Sequence, residues 1–150
     1  MDLILWRHAE AEDREPDLAR ELTAKGRKHA DRVGQWLDGQ LPEHARILVS
    51  PAARAQQTAE GLRRKFRTVQ ELAPSTSPAS VLAAIEWPDG HDTVVVVGHQ
   101  PTLGRLAALL VAGADADWSI RKGALWWLAS RDREGGTGVL LRCVMSPEFC

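Results

Sequence analysis

The sequence has 150 residues, of which 44% are hydrophobic and 26% are charged. This length and balance predict one globular domain spanning residues 1–150, and they exclude a fibrous or largely disordered chain. Nineteen basic and 20 acidic residues give a net charge of −1. We therefore expect no overall attraction to nucleic acid or to an acidic membrane surface, and any anion site must be built from local basic residues.

Neither a membrane span nor a secretion signal is predicted. The longest apolar runs, such as Leu106–Ala112, fall well short of the roughly 20 residues that cross a bilayer. The first residues contain no basic leader followed by an apolar segment of signal length. Two cysteines, Cys143 and Cys150, are too few for a disulfide framework. These features predict a cytoplasmic protein.

Strand and helix patterns alternate through the first half of the chain. The apolar run Asp2–Trp6 predicts a buried strand, and the polar, proline-containing segment Ala11–Arg20 predicts a loop. Apolar residues recur at helical spacing over Thr23–Leu41, with the threonine placed as the N-cap. Arg46–Ser50 predicts a second strand, and a second helix is expected over about Ala52–Phe66.

The alternation continues as far as residue 111. Pro78–Ile85 predicts a third helix, because proline is favoured in the first helical turn. Thr93–Val97 is β-branched throughout, and its lack of alternation predicts a strand buried on both faces. The apolar pattern of Leu103–Val111 predicts a fourth helix.

A different pattern in the tail completes the predicted fold. Ala124–Ser130 and Gly138–Met145 predict two antiparallel strands, joined by a turn at Asp132–Gly136. Strands that alternate with helices and then end in a hairpin predict an α/β fold. We expect a three-layer sandwich, with helices on both faces of a mostly parallel central sheet and a C-terminal β-hairpin.

Basic and imidazole side chains follow three of the predicted strands. Arg7 and His8 follow the first strand, Arg54 comes shortly after the second, and His99 follows the strand at Thr93–Val97. Ligands of open α/β sheets bind beyond the carboxyl ends of the strands, so we expect these groups to converge. Arginine forks and imidazole groups together suit a tetrahedral dianion such as phosphate.

The same segments resemble motifs of one enzyme family. Residues 7–10 (RHAE) resemble the signature of the histidine phosphatase (phosphoglycerate mutase-like) superfamily. Residues 50–58 (SPAARAQQT) match its S-P-x-x-R-A-x-Q-T segment, and residues 97–99 (VGH) resemble its second histidine motif. The short chain, the 17–23 segment and the Met-Ser-Pro of residues 145–147 resemble the SixA-type phosphohistidine phosphatase branch.

This resemblance implies a phosphatase with a phosphohistidine enzyme intermediate. It also implies that the substrate is a phosphohistidine in a protein, such as a histidine phosphotransfer domain. The main departure is Ala9, where the superfamily signature usually has glycine, a residue that permits positive φ and close backbone approach. The resemblance to the SixA branch implies that alanine is tolerated there.

The chemistry of the residues supports the same roles. A neutral His8 imidazole can attack phosphorus and form a phosphohistidine that water later hydrolyses. Arg7 and Arg54 would bind the phosphate, and their charge would oppose protonation of His8. We expect His99 to donate to the phosphoryl oxygens. Arg20 is predicted either to contact phosphate or to form a salt bridge in its loop. No metal or other cofactor is expected, because arginine and imidazole supply the positive charge.

The leaving-group side of the site is less defined. Many superfamily members carry an acidic glutamate after the second helix, and here Glu71 and Glu86 are candidates without the surrounding motif. A leaving imidazole can be protonated by solvent and needs less help than an alkoxide. Two other functions therefore stay open: hydrolysis of small phosphomonoesters, and phosphate binding by a scaffold of the same fold without turnover.

Overall fold

The computed structural model describes residues 1–90, 92–133 and 136–150. The strands in these residues are β1 (Asp2–Arg7), β2 (Arg46–Val49), β3 (Arg67–Thr68), β4 (Thr93–Gly98), β5 (Leu125–Arg133) and β6 (Gly136–Met145). The α-helices are α1 (Ala24–Gln40), α2 (Ala53–Glu60), α3 (Pro78–Ile85) and α4 (Thr102–Ala112). Single turns of 3₁₀ helix occur at Asp17–Ala19, Gln70–Leu72 and Pro147–Phe149.

The strands form one mixed sheet in the order β3-β2-β4-β1-β5-β6. β3, β2, β4 and β1 pair in parallel, whereas β5 is antiparallel to β1 and β6 is antiparallel to β5. The α/β prediction with a C-terminal hairpin is therefore confirmed. The turn was predicted at Asp132–Gly136; the strands extend into that segment from both sides, and residues 134 and 135 lie outside the described residues.

Two hydrophobic cores lie on opposite faces of the sheet. Leu3 and Leu5 of β1 pack with residues of α3 and α4, while Ile4 and Trp6 pack with residues of α1 and α2. All four of these β1 side chains are fully buried. The valines at positions 94–97 of β4 are also fully buried and divide between the two cores. The three-layer arrangement and the two-sided burial of this strand are confirmed.

The second helix was predicted too long. α2 ends at Glu60, and Arg63 adopts a left-handed conformation with φ 57°. At Gly61 a Cβ atom would stand 2.4 Å from the carbonyl oxygen of Ala30, so α1 crosses directly over the end of α2. The chain then turns and forms β3, a short strand that the sequence analysis did not predict.

The first long helix begins as predicted. The Thr23 hydroxyl caps α1 by accepting from the Gly26 amide at 3.0 Å. Such a cap satisfies an N–H group that has no partner within the helix. None of the helices in the described part of the chain is both long enough and apolar enough to cross a bilayer.

The crossing of α1 over α2 makes a clear stability prediction. A Cβ atom on Gly34 would stand 2.3 Å from the backbone of Gly61, whereas one on Gly39 would meet no atom within 4 Å. We expect Gly34→Ala to lower the free energy of unfolding by about 1–3 kcal/mol through overpacking. Gly39→Ala, on the same helix, should leave it unchanged or raise it by up to about 1 kcal/mol. Urea unfolding measures both, and equal effects would contradict this account of the crossing.

Candidate active site

The register of β1 against β4 brings the two predicted histidines together. Arg7 lies opposite Gly98, and the His8 amide donates to the Gly98 carbonyl at 3.1 Å. The rings of His8 and His99 lie just beyond the two strands, with their centroids 5.2 Å apart. Ser50 joins them from the end of β2, where its amide donates to the Val97 carbonyl at 3.1 Å. The predicted convergence at the carboxyl edge of the sheet is therefore observed.

His8 is held in one tautomer. Its side chain is buried, and Nδ1 lies 2.8 Å from the carbonyl oxygen of Ala9. A carbonyl oxygen accepts hydrogen bonds and cannot donate one, so Nδ1 carries the ring proton. The other nitrogen, Nε2, then bears a free lone pair. Burial lowers the pKa of His8 to about 4; the bond to Ala9 opposes this shift, and three arginine charges add to it.

The two ring nitrogens of His99 have different surroundings. Nε2 lies 2.7 Å from the Ser50 hydroxyl, which also accepts from the Ala52 amide at 3.2 Å. Nδ1 is buried and has no hydrogen-bond partner among the described residues. Burial lowers the pKa of His99 to about 3, and the nearby His8 ring and the Arg54 charge add to the shift. Both rings of the site are therefore neutral at pH 7.

Three arginines supply positive charge close to His8. Arg54 is almost fully buried and Arg7 is half-buried. Nη1 of Arg7 donates to the Ile120 carbonyl at 2.8 Å. Nε of Arg20 donates to the Glu12 carbonyl at 2.8 Å. Each of the three charges lowers the pKa of His8. The Nε atoms of Arg7 and Arg54 are buried and find no hydrogen-bond partner in the described part of the chain. Burial also lowers the pKa of Arg7.

Asp17, for which the sequence predicts no role, contacts two of these arginines. Its backbone carbonyl accepts from Arg54 Nη1 at 2.8 Å, and its Oδ2 accepts from Arg54 Nη2 at 3.2 Å. Its Oδ1 accepts from Arg20 Nη1 at 3.4 Å, so the loop salt bridge considered for Arg20 is present. Asp17 lies in the 17–23 segment that resembles the SixA branch, which was the available signal for its importance.

Comparison with known proteins was made for sequence and for structure. A family model described as histidine phosphatase superfamily (branch 1) matches residues 3–75. The phosphohistidine phosphatase SixA of Escherichia coli (strain K12) is 34% identical over 122 residues, which cover 75% of this chain and 76% of that protein. The chain belongs to the histidine phosphatase superfamily, in its SixA branch.

Two further proteins of this branch are similar along most of the chain. A SixA homolog of Haemophilus influenzae (strain ATCC 51907 / DSM 11121 / KW20 / Rd) is 35% identical over 126 residues, covering 73% of this chain and 77% of that protein. A solved structure of the protein histidine phosphatase SixA complexed with tungstate superimposes with a TM-score of 0.82 and 29% identity. That superposition covers 99% of each chain.

The alanine in the superfamily signature causes no backbone strain. Ala9 is fully buried, and the positive-φ residues other than glycine in the described ranges are Arg63, Ser75 and Glu86. The Ala9 amide donates to Thr58 Oγ1 at 3.0 Å, and that hydroxyl donates to the Arg54 carbonyl at 2.7 Å. Thr58 thus fastens the His8 segment to the helix that carries Arg54.

The two glutamates considered as proton donors lie in different places. Glu86 ends α3, and its carbonyl accepts from the amide of Gly90, a residue near Met1. It therefore lies at the amino edge of the sheet, opposite His8, and it is wrong as a candidate. Glu71 is exposed in the 3₁₀ turn after β3, and it is not among the groups whose charges shift the pKa values of the two site histidines.

The described residues contain no group of three or more histidine, cysteine, aspartate or glutamate side chains that could hold a metal ion. The charged groups that surround the two histidines in this part of the chain are arginines and one aspartate.

The low pKa of His8 predicts a pH dependence of stability. A histidine in an unfolded chain titrates near pH 6.5, while folded His8 titrates near pH 4. Between these values the unfolded state binds a proton that the folded state does not, so stability falls as the pH falls. We expect His8→Asn to reduce the slope of unfolding free energy against pH by up to about 1.4 kcal/mol per pH unit in this window. Parallel slopes in urea unfolding would contradict the shift.

The bond between Ser50 and His99 predicts an effect of removing the hydroxyl. Ser50→Ala would leave His99 Nε2 without its buried partner, and the ring would lose a fixed orientation. We expect kcat for phosphate release to fall about tenfold, as when other groups that orient an active-site imidazole are removed. Ser80→Ala, at a partly exposed serine of α3, is the control, and equal rates for both variants would argue against this role.

Proposed function

We propose that this protein is a metal-independent phosphatase that accepts the phosphoryl group on His8 Nε2 and acts on phosphohistidine in a protein. Three buried donors without partners in the described residues carry this proposal: Arg7 Nε, Arg54 Nε and His99 Nδ1. Buried polar groups in folded proteins are nearly always hydrogen-bonded. A set of unpaired donors beside a neutral imidazole therefore supports a site for an oxyanion.

The proposed first step transfers the phosphoryl group to the enzyme. His8 Nε2 attacks phosphorus with its lone pair, and the bond from phosphorus to the leaving atom breaks with its electron pair on that atom. Nδ1–H remains bonded to the Ala9 carbonyl, which stabilises the positive charge that forms on the ring. Arg7 and Arg54 hold the non-bridging oxygens, since guanidinium groups match phosphate in charge and geometry.

The proposed second step regenerates the enzyme. Water attacks phosphorus of the phosphorylated His8, the P–N bond breaks with its electrons on Nε2, and inorganic phosphate leaves. His99 serves both steps as a donor to a phosphoryl oxygen. When the Ser50 hydroxyl donates to His99 Nε2, the ring proton resides on Nδ1, and that atom is then the free donor.

Similarity to relatives and the exposure of the site support a phosphohistidine substrate. The E. coli relative is named a phosphohistidine phosphatase, and the tungstate complex is of a protein histidine phosphatase. The loop at positions 12–19, which carries Asp17 to the arginines, is exposed throughout. We infer that a side chain projecting from a protein can reach His8. A cytoplasmic location stays a prediction, and the free thiols of Cys143 and Cys150 agree with it.

The covalent role of His8 can be tested by substitution and trapping. We expect His8→Ala to lower turnover by about 10³-fold or more, because the substitution removes the proposed nucleophile. Rapid acid-free quenching of the wild-type enzyme with ³²P-labelled substrate should give an acid-labile label on His8. His44→Ala, at an exposed histidine, should turn over and label normally. Full activity of His8→Ala would overturn the mechanism.

The substrate class can be tested on a panel. We expect a phosphohistidine phosphotransfer domain to be hydrolysed with a kcat/KM at least about tenfold above those of small phosphomonoesters, since the leaving imidazole needs no acid from the enzyme. A chelator should leave the rate unchanged. Preference for a small ester would replace the proposed substrate, and phosphate binding without label or turnover would indicate a scaffold.

A further inference from the structure

Asp17 contacts Arg54, one of the two arginines proposed to bind phosphate, and it is far more exposed than that arginine. Its side chain is 53% exposed, whereas that of its partner Arg54 is 5% exposed. The carboxylate bonds to both Arg54 and Arg20, and its charge acts as far as His99, where it partly opposes the lowering of the pKa. The loop that carries it is closed at its base by the bridge between Ala11 and Leu22.

This carboxylate is ionised at neutral pH. Burial alone would raise the pKa of Asp17, but the hydrogen bonds and charges of Arg54 and Arg20 outweigh that effect and hold it below the ordinary value. A second acceptor on Arg54, the Asp17 backbone carbonyl, keeps the carboxylate close to the guanidinium. The site therefore combines arginines that attract a phosphoryl group with one fixed negative charge.

The geometry of transfer decides which part of the substrate meets this charge. The attacking and leaving atoms of phosphoryl transfer lie on opposite sides of phosphorus. Because His8 is buried, a substrate must approach it from solvent, and the leaving group then lies on the solvent side of phosphorus. Asp17 bonds to Arg54 and Arg20 and is itself half-exposed, so its carboxylate is presented to solvent beside Arg54.

We propose that Asp17 is a specificity-determining residue. It favours substrates whose leaving group can carry a positive charge, and it disfavours phosphomonoesters. The inference rests on the proposed phosphatase function and deepens it, because it names the residue that makes the enzyme prefer a phosphoramidate to a phosphoester.

The two substrate classes place opposite charge next to Asp17. In phosphohistidine one ring nitrogen carries the phosphoryl group, and a proton from solvent on the other nitrogen makes the ring a cation. The P–N bond then breaks with its electron pair on nitrogen and releases neutral imidazole. A nearby carboxylate stabilises that cationic ring. In a phosphomonoester the electron pair goes to oxygen, which becomes negative unless an acid protonates it, and the same carboxylate opposes that charge.

The charge can be removed while the shape is kept. Asp17→Asn retains the backbone carbonyl that binds Arg54 and replaces the carboxylate with a neutral amide. The measured quantity is kcat/KM for free phosphohistidine divided by kcat/KM for p-nitrophenyl phosphate. We expect this ratio to fall roughly tenfold. This is the effect of removing one unit charge about 6 Å from the charge on the leaving group, at a dielectric constant between those of protein and water.

Matched variants separate the charge from other effects. Asp13→Asn removes an exposed carboxylate from the same loop, and Asp17→Glu keeps the charge at position 17; both should retain most of the wild-type ratio. If Asp17→Asn changes both rates by the same factor, Asp17 merely positions Arg54 and the inference is overturned. If the wild-type chain hydrolyses neither compound and His8 takes up no label, the proposed function itself fails, and the inference with it.

Discussion

Arg7 lies opposite Gly98 where β1 pairs in parallel with β4, and the amide of His8 extends this ladder by donating to the Gly98 carbonyl. That register sets the 5.2 Å separation between the rings of His8 and His99. A slip of one residue would exchange the two faces of β1 and move Leu5 into the core that holds Trp6. The two hydrophobic cores therefore fix the register, and through it the distance between the groups proposed to transfer phosphate.

Burial and charge act together on the imidazoles. Burial lowers the pKa of His8 to about 4 and that of His99 to about 3, and the arginine charges add to both shifts. The site can thus keep the proposed nucleophile neutral while it concentrates positive charge for an anion. Asp17 limits that positive charge on the side of the site that faces solvent. Our two proposals thus give attraction for the phosphoryl group and discrimination by leaving group to different parts of one cluster.

Local patterns were sufficient for most of the fold. The apolar run of β1, the β-branched residues of β4 and the Thr23 cap each depend on neighbours in sequence, and each was predicted. The end of α2 depends instead on α1 crossing at Gly61, and β3 depends on the exposed edge of β2. Neither contact leaves a periodic signal, so the helix was extended too far and the short strand was missed.

Motifs at the ends of predicted strands were enough to indicate which residues meet at the carboxyl edge of the sheet, namely Arg7, His8, Arg54 and His99. Their chemical state, by contrast, depends on tertiary packing. The tautomer of His8 follows from its distance to the Ala9 carbonyl, and its neutrality follows from burial. In the sequence Asp17 is one of several acidic residues in a polar loop. In the folded chain it pairs with Arg54, which lies on a different element. Protonation and pairing depend on distance and dielectric environment, and these are set when the chain packs.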